Sequence, residues 1–541
     1  MSASPAGSKG WAQPDPATAW SVLAAALAAG VLARISNLPF HLTRLMNSDA
    51  ALFLNEARSQ LAGGPGLDPL WPPLYPLAAA ALAGKGGDLE TAALGLSLAA
   101  GALAPIALFL LGRALAGARV AEFSAVGTAL LAPLVFWSCQ AYPETLFILT
   151  LYSLLSLFWH IRSSPSPAPF FLAGMLAGAA YLLRPEGFVY GPMLALWTAV
   201  HRPEGQPART RWRAAAALAA GFALLATPYL ARLRAELGHL SVSGKAGWNL
   251  LVGGRALGED YDRLAWSLTP DGKEIACRRA MRELTLGKVL LQKPAELGRR
   301  YAVNSWRLAG QLVESLGWVT SALVGVGIVA LAAEPAVLLL LGVACAPLAA
   351  LPLFFIDGRF VVFALPALLL LAGVGLERSA ALVSSRQSTR RLAWMLLAAA
   401  ALVPHALAAA AVASAAPAAS QAVRAGEEYR QVGTWMRLNC PPESKTTHVW
   451  TAYHAGLQSV QIPFGSYSEV LRYLRSQGCN YLVVDKRNAA RGWLPESTTA
   501  LSFLLQTDRP PLDLEEVHCW KVQPEYEVRV YRLKKVEGSS Q

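Results

Sequence analysis

Five charged side chains sit in short polar turns between long apolar segments. Asp49 lies in N-S-D-A-A-L-F-L-N-E-A-R, Glu144 in Y-P-E-T, Arg184 and Glu186 in Y-L-L-R-P-E-G, and Arg359 in F-I-D-G-R-F-V. Asp49 follows the helix-capping types Asn47 and Ser48, and helix formers continue to a Gly63-Gly64 stop. The positive end of such a helix keeps a carboxylate ionised, as a base or cation ligand must be. The planar guanidinium groups of Arg184 and Arg359 suit bidentate pairing with phosphate oxygens. Glu144 could bind a divalent cation together with Asp49, or orient a substrate hydroxyl. Each residue also has an ordinary reading. Asp49 and Glu144 could merely occupy first helical turns, Arg184 could snorkel or pair with Glu186, and Arg359 could pair with Asp357. The turn Trp71-Pro72-Pro73-Leu74-Tyr75-Pro76 is stiff, carries two aromatic rings and starts the next helix at Pro76, which makes Tyr75 a further candidate substrate contact.

The elements that must hold these residues are membrane helices. The chain has 541 residues, 54% hydrophobic and only 15% charged, too few charges for a soluble protein of this length. Apolar runs near the ~20 residues of a bilayer span recur over the first three-quarters of the chain. They predict about eleven spans: 17–34, 89–111, 118–137, 145–161, 170–183, 188–200, 214–230, 316–333, 336–355, 361–376 and 392–413. A polar leader (1–16) precedes a membrane domain (17–413) with large external loops at 35–88 and 231–315. The first span is expected to be retained rather than cleaved as a signal peptide, since Lys9 is the only early positive charge. With the N-terminus cytoplasmic, the basic loops at 113–119, 162, 202–213 and 378–391 all fall inside, as the positive-inside rule requires. Arg34 and Arg44, beyond the first span, argue weakly the other way. Asp49, Glu144, Arg184, Glu186 and Arg359 then share the external face and can converge. Trp248, Tyr261, Trp266, Tyr301 and Trp306 predict interfacial segments in the second large loop.

After a linker at 414–426, residues 427–541 read as an extracytoplasmic α/β domain. Helices are expected at 429–438 and 467–477, and strands at 446–451, 480–485 and 528–533. Six cysteines show no C-x-x-C spacing, and one pair among Cys440, Cys479 and Cys519 could be bridged in an exported domain. His448, His454 and His518 read as ordinary surface or packed residues. The net charge of +12 lies largely beside the spans, which fits lipid headgroups and lipid phosphates; no aromatic-interleaved basic module points to nucleic acid.

An Asp just after the first span, an E-A-R helix, Gly-Gly and then P-P-L-Y-P resembles the first external loop of the GT-C type membrane glycosyltransferases. These include the dolichyl-phosphate-mannose protein mannosyltransferases and the bacterial aminoarabinose transferases. Leu182 to Pro185 is similar to that family's L-x-R-P segment, and Glu144 stands where the family often has an acid. The resemblance implies a polytopic helical fold with an external domain, Asp49 as catalytic base, and Arg184 or Arg359 at the leaving phosphate. It implies an inverting transfer from a polyprenyl-phosphate sugar to a glycan, lipid or protein acceptor, in a prokaryotic inner membrane. A divalent cation (Mg or Mn) at Asp49 and Glu144 is left open, because Ala50 stands where many relatives have a second acid and no His or Cys ligand cluster is present. Two other classes compete: a lipid-linked saccharide transporter, which would show inverted repeats and midplane charges, and a non-catalytic membrane scaffold.

Overall fold

The computed structural model describes residues 16–42, 48–63, 71–201, 207–384, 386–414, 426–486, 500–507, 509–523 and 526–534. Most of the expected leader, Arg44, Asn47, Gly64 and residues 415–425 of the linker lie outside them. Helix α1 (Pro16–Leu42) starts on a proline, whose missing N–H costs nothing in a first turn. It runs past the end expected at Arg34, which is 2% exposed inside the helical body. A polar loop follows, holding α2 (Ser48–Leu61) and α3 (Leu74–Ala83), and then the long α4 (Leu89–Ala116), capped by the Asp88 carboxylate. Pro76 falls in the first turn of α3.

α5 (Ala118–Leu130) and α6 (Ala132–Ser138) form one span bent by 52°. The cause is Pro133, which has no N–H to offer the Ala129 carbonyl one turn back. Arg34 replaces that donor: its Nη1 donates to Ala129 O and Gly30 O, each at 2.9 Å, and its Nε to Ser138 Oγ at 3.0 Å. Arg34 is therefore an internal capping group, not a loop charge of the kind the positive-inside rule counts.

α7 (Glu144–Ile161), α8 (Ala168–Leu183), α9 (Tyr190–Val200) and α10 (Ala208–Leu237) complete the first half. The large second loop is mostly helical: α11 (Ala246–Val252), α12 (Tyr261–Trp266), α13 (Ala276–Glu283), α14 (Leu286–Gln292) and α15 (Pro294–Leu316). α15 meets α16 (Trp318–Ala330) at 110°, with the corner at Gly317, whose φ of 75° suits glycine. Then come α17 (Pro335–Cys345), α18 (Leu365–Val383) and α19 (Gln387–Ser414). α16 and α18 cross backbone to backbone, since a Cβ on Gly327 or Gly375 would stand 1.9 Å from the Leu371 or Leu323 carbonyl oxygen.

Among the described residues seven helices are long and apolar enough to cross a membrane, or up to nine if each bent pair is one span. The expected segments 170–183 and 188–200 are α8 and α9, of 16 and 11 residues, joined by a 3₁₀ turn at Pro185–Val189; each falls short of ~20 residues. The chain is thus an integral membrane protein of helical architecture with a small terminal sheet.

The C-terminal domain contains α20 (Glu427–Asn439), α21 (Val449–Ala455) and α22 (Tyr467–Ser476). Its five strands are β1 (Lys445–Thr446), β2 (Gln458–Ser459), β3 (Tyr481–Asp485), β4 (Leu514–Gln523) and β5 (Tyr526–Leu533), in the order β2-β1-β3-β5-β4. β1 pairs in parallel with β2 and β3, while β5 is antiparallel to β3 and β4. The strand expected at 446–451 stops after Thr446, because His448 caps α21 by accepting the Thr451 N–H at Nδ1. β4 was not foreseen; its run L-E-E-V-H-C-W-K-V-Q is too polar to stand out. All six cysteines are unpaired, so none of the bridges left open among Cys440, Cys479 and Cys519 is formed. His448 and His518 stack on Tyr429 and Trp435.

The second loop is not simply interfacial. Trp248, Tyr261 and Trp266 pack against a core shared by Val252, Ala265 and Ile275 of the loop with Val470, Leu471 and Leu482 of the domain. These rings bind loop to domain, whereas Trp306 on α15 remains 83% exposed.

Candidate active site

Four chain segments end at one place, each for a local reason. Asp49 lies in the first turn of α2. Glu144 opens α7 directly behind Pro143. Arg184 ends α8 in an extended conformation (φ −150°, ψ 141°), which the following Pro185 enforces. Glu186 sits in the ensuing 3₁₀ turn, and Arg359 in another at Gly358–Phe360.

Their side chains form one alternating series. Asp49 Oδ2 accepts from Arg359 Nη1 at 2.8 Å, and Arg359 Nε lies 3.4 Å from Glu144 Oε1. The same Glu144 oxygen accepts from Arg184 Nη1 at 2.5 Å, and Arg184 Nη2 donates to Glu186 Oε1 at 2.8 Å. Exposure is lowest in the middle of the series: Asp49 is 23% exposed and Arg359 17%, Glu144 only 1%, then Arg184 7% and Glu186 15%. Asp49 is therefore the most exposed of the three acids. Glu144 Oε2 is buried without a hydrogen-bond partner. The local pair expected between Arg359 and Asp357 forms only through the backbone, with the Arg359 N–H donating to Asp357 Oδ1 at 2.9 Å. That bond caps the turn and leaves the guanidinium aimed at Asp49, 310 residues away in sequence.

Sequence reading missed Lys245, which completes the charge. It precedes α11, and its Nζ lies 3.3 Å from the centre of the Trp71 ring. α11 is seated tightly, since a Cβ on Gly247 would stand 2.0 Å from the Ala280 carbonyl oxygen. Burial pushes the Asp49 carboxyl up, but Lys245 and then Arg359 outweigh it and hold it below the usual carboxylate value. Its S-G-K-A-G-W setting offers no periodic signal by which Lys245 could have been found. Three carboxylates (Asp49, Glu144, Glu186) thus face three cations (Arg184, Arg359, Lys245).

Tyr75 lies apart from this series. It is 1% exposed, and its hydroxyl donates to Ala93 O while bonding Ser97 Oγ, both at 2.9 Å. Phe53 of α2 packs on Tyr75, Trp71 and Tyr142, so these rings form the seat of α2.

A cavity of about 280 Å³ opens beside the site, lined by Arg255, Arg307, Asn304 and the Phe354–Ile356 strand of chain. Its Phe355 ring touches Phe360, over which the Arg359 and Arg184 guanidinium groups lie at 5.2 and 5.8 Å. Phe360 thus touches both the cavity-lining Phe355 ring and the two guanidinium groups of the ion series. The residues do not fit a cation between Asp49 and Glu144, because Arg359 bridges them. Among the described residues no three His, Cys, Asp or Glu side chains cluster as a ligand set.

Residues 71–231, from the Trp71 turn into α10, match the family model of the Dolichyl-phosphate-mannose-protein mannosyltransferase. No curated protein matches the chain by sequence. ArnT from Cupriavidus metallidurans in the apo state is similar in structure, with a TM-score of 0.54 at 15% identity, covering 95% of this chain and 98% of that one. The same protein bound to undecaprenyl phosphate gives 0.52 at 14% identity, with the same coverage. The archaeal oligosaccharyltransferase AglB from Archaeoglobus fulgidus, in complex with an inhibitory peptide and a dolichol-phosphate, gives 0.54 at 14%, covering 88% of this chain and 70% of that one. An A. fulgidus oligosaccharyltransferase structure also contains Zn and sulfate. The chain has the fold of the GT-C type membrane glycosyltransferases and resembles the dolichyl-phosphate-mannose-protein mannosyltransferases over residues 71–231.

Proposed function

We propose that this protein is an inverting glycosyltransferase that moves a sugar from a polyprenyl-phosphate donor to an acceptor hydroxyl on the extracytoplasmic face. The observation that carries the reading is Asp49: ionised, partly open, and fixed at 2.8 Å by Arg359. Asp49 takes the acceptor proton as the acceptor oxygen bonds to the anomeric carbon. The bond from that carbon to the phosphate oxygen breaks, and the lipid phosphate leaves with the electron pair. A base so placed contributes roughly 10²–10⁴-fold.

Arg184 and Arg359 are each engaged by carboxylates. Their part is to fix Asp49 and Glu144 and to present a positive face, and Arg359 is the one nearer the opening. Lys245 and the cavity arginines Arg255 and Arg307 supply further positive charge for the leaving phosphate. In this orientation the N-terminus is cytoplasmic and the C-terminal domain lies outside, as expected for a prokaryotic inner membrane. The acceptor is a glycan, lipid or protein hydroxyl. No step is derived through a divalent cation.

The test is sugar transfer from a radiolabelled polyprenyl-phosphate sugar pool in membranes, with expression and insertion checked. Asp49→Asn abolishes transfer if the reading holds, and the labelled product identifies the acceptor. Transfer unchanged by Asp49→Asn would make Asp49 a helix-turn residue only. No transfer by the wild type from any lipid donor favours a transporter or a scaffold.

A further inference from the structure

Four of the six charged groups of the centre are delivered by ends of membrane helices: Glu144, Arg184, Glu186 and Arg359. The other two, Asp49 and Lys245, come from two polar loops, and both loops are gripped by the C-terminal domain. α2 carries Asp49 at one end and Arg58 nine residues later, about 13 Å along the same short rod. The Arg58 guanidinium donates through Nη1 to the Tyr453 carbonyl oxygen and lies 4.2 Å over the Tyr453 ring. That carbonyl belongs to the last turn of α21, where a helix end carries partial negative charge and accepts a cation well. Beside it, Arg430 of α20 pairs with Glu90 of α4 at 3.1 Å. The second loop is joined by main-chain bonds: Phe464 N–H donates to Trp266 O at 2.8 Å, and Ser267 and Phe464 form a parallel bridge. Below that seam runs the shared core of Val252 and Ile275 with Val470 and Leu482, directly behind the α11 that Lys245 begins.

We infer that the C-terminal domain is a clamp that sets the position of the Asp49 helix relative to Arg359, with Arg58 as its positioning residue. Arg58 touches no reacting atom; it acts through α2. The inference rests on the glycosyltransferase reading for its catalytic consequence but not for its structural one. A shift of about 1 Å in a catalytic group far from the mutated residue can cost on the order of 100-fold in rate. Loosening α2 also moves Asp49 away from Arg359 and Lys245.

The experiment compares the full-length protein in lipid nanodiscs as wild type, Arg58→Ala and Arg58→Lys. Amide hydrogen exchange is followed across residues 48–55, and transfer kinetics in parallel. Arg58→Ala is expected to speed exchange at 48–55, lower kcat by roughly 10- to 100-fold with the donor KM held, and move the acid limb of the rate profile to higher pH. Arg58→Lys, which keeps the charge on the helix end, recovers part of each. Wild-type protection at 48–55 in folded Arg58→Ala overturns the clamp. So does a kcat loss that only tracks the folded fraction, with the pH profile unmoved. Should wild type transfer no sugar, the glycosyltransferase reading fails, while the exchange comparison still decides the clamp.

Discussion

The segment 358–383 carries an ion cluster near each end, on the order of 25 Å apart, and the two are built differently. At its start Arg359 joins Asp49 and Glu144, and through Glu144 the Arg184–Glu186 pair, with hydrogen-bonded distances of 2.5–2.8 Å at three of the links. Near its end Glu377 faces Arg119 at 3.9 Å and Arg390 at 3.7 Å, all three partly exposed. Both clusters tie helices together. Both take charge out of water, but only the first pairs it through short, directed hydrogen bonds, an arrangement whose worth lies in fixed geometry more than in stability. The second is a looser staple between α5, α18 and α19, its ion pairs at 3.7 and 3.9 Å too long for hydrogen bonds.

That contrast breaks most sharply at Arg184. Arg184→Ala leaves Glu186 without its cation and buried Glu144 with only the longer contact to Arg359, and a loss of about 3–5 kcal/mol is expected in a detergent thermal melt. A midpoint equal to wild type would show that the inner cluster is no tighter than the outer one.

A subtler change sharpens the role of the positive groups. Because the folded Asp49 carboxyl lies below its ordinary value, its ionised form and the stability it contributes are present above about pH 3.9 and are lost as pH falls through the depressed value. Lys245→Met removes the largest single influence opposing burial, so the carboxyl rises while Arg359 still holds it down in part. The acid limb of kcat/KM then moves to higher pH, which a pH–rate series measures; an unmoved limb would detach Lys245 from the site.

The smallest effect belongs to the staple. Glu377→Gln is expected to cost less than about 1 kcal/mol and to leave transfer intact. A loss of activity there would mean that the two ends of 358–383 are coupled.

Legibility in the sequence followed the same division. The turns bearing Asp49, Glu144, Arg184-Pro185-Glu186 and Arg359 stood out because charge beside a long apolar run is visible residue by residue, and five of those side chains do meet. α8 and α9 come out shorter than a ~20-residue span because hydropathy does not show that Pro185 ends one helix early and a 3₁₀ turn precedes the next. Lys245 was invisible because nothing local distinguishes a loop lysine that packs on a distant Trp71 from one in solvent. Tyr75 looked like a substrate contact, yet its hydroxyl faces inward to Ser97, a direction set by how α3 lies on α4.

The chain by itself determined that it is a membrane protein, where its main apolar helices run, and that its acids and arginines gather at helix ends. Transfer free energies add along a sequence, and prolines and caps act within a turn or two. Tertiary structure alone decided that Arg359 turns to Asp49 rather than Asp357, that Arg34 caps a broken helix from inside, and that the terminal domain holds the Asp49 helix. Those choices depend on which backbones approach closely enough for a guanidinium to reach, and that distance is fixed only when segments hundreds of residues apart are packed.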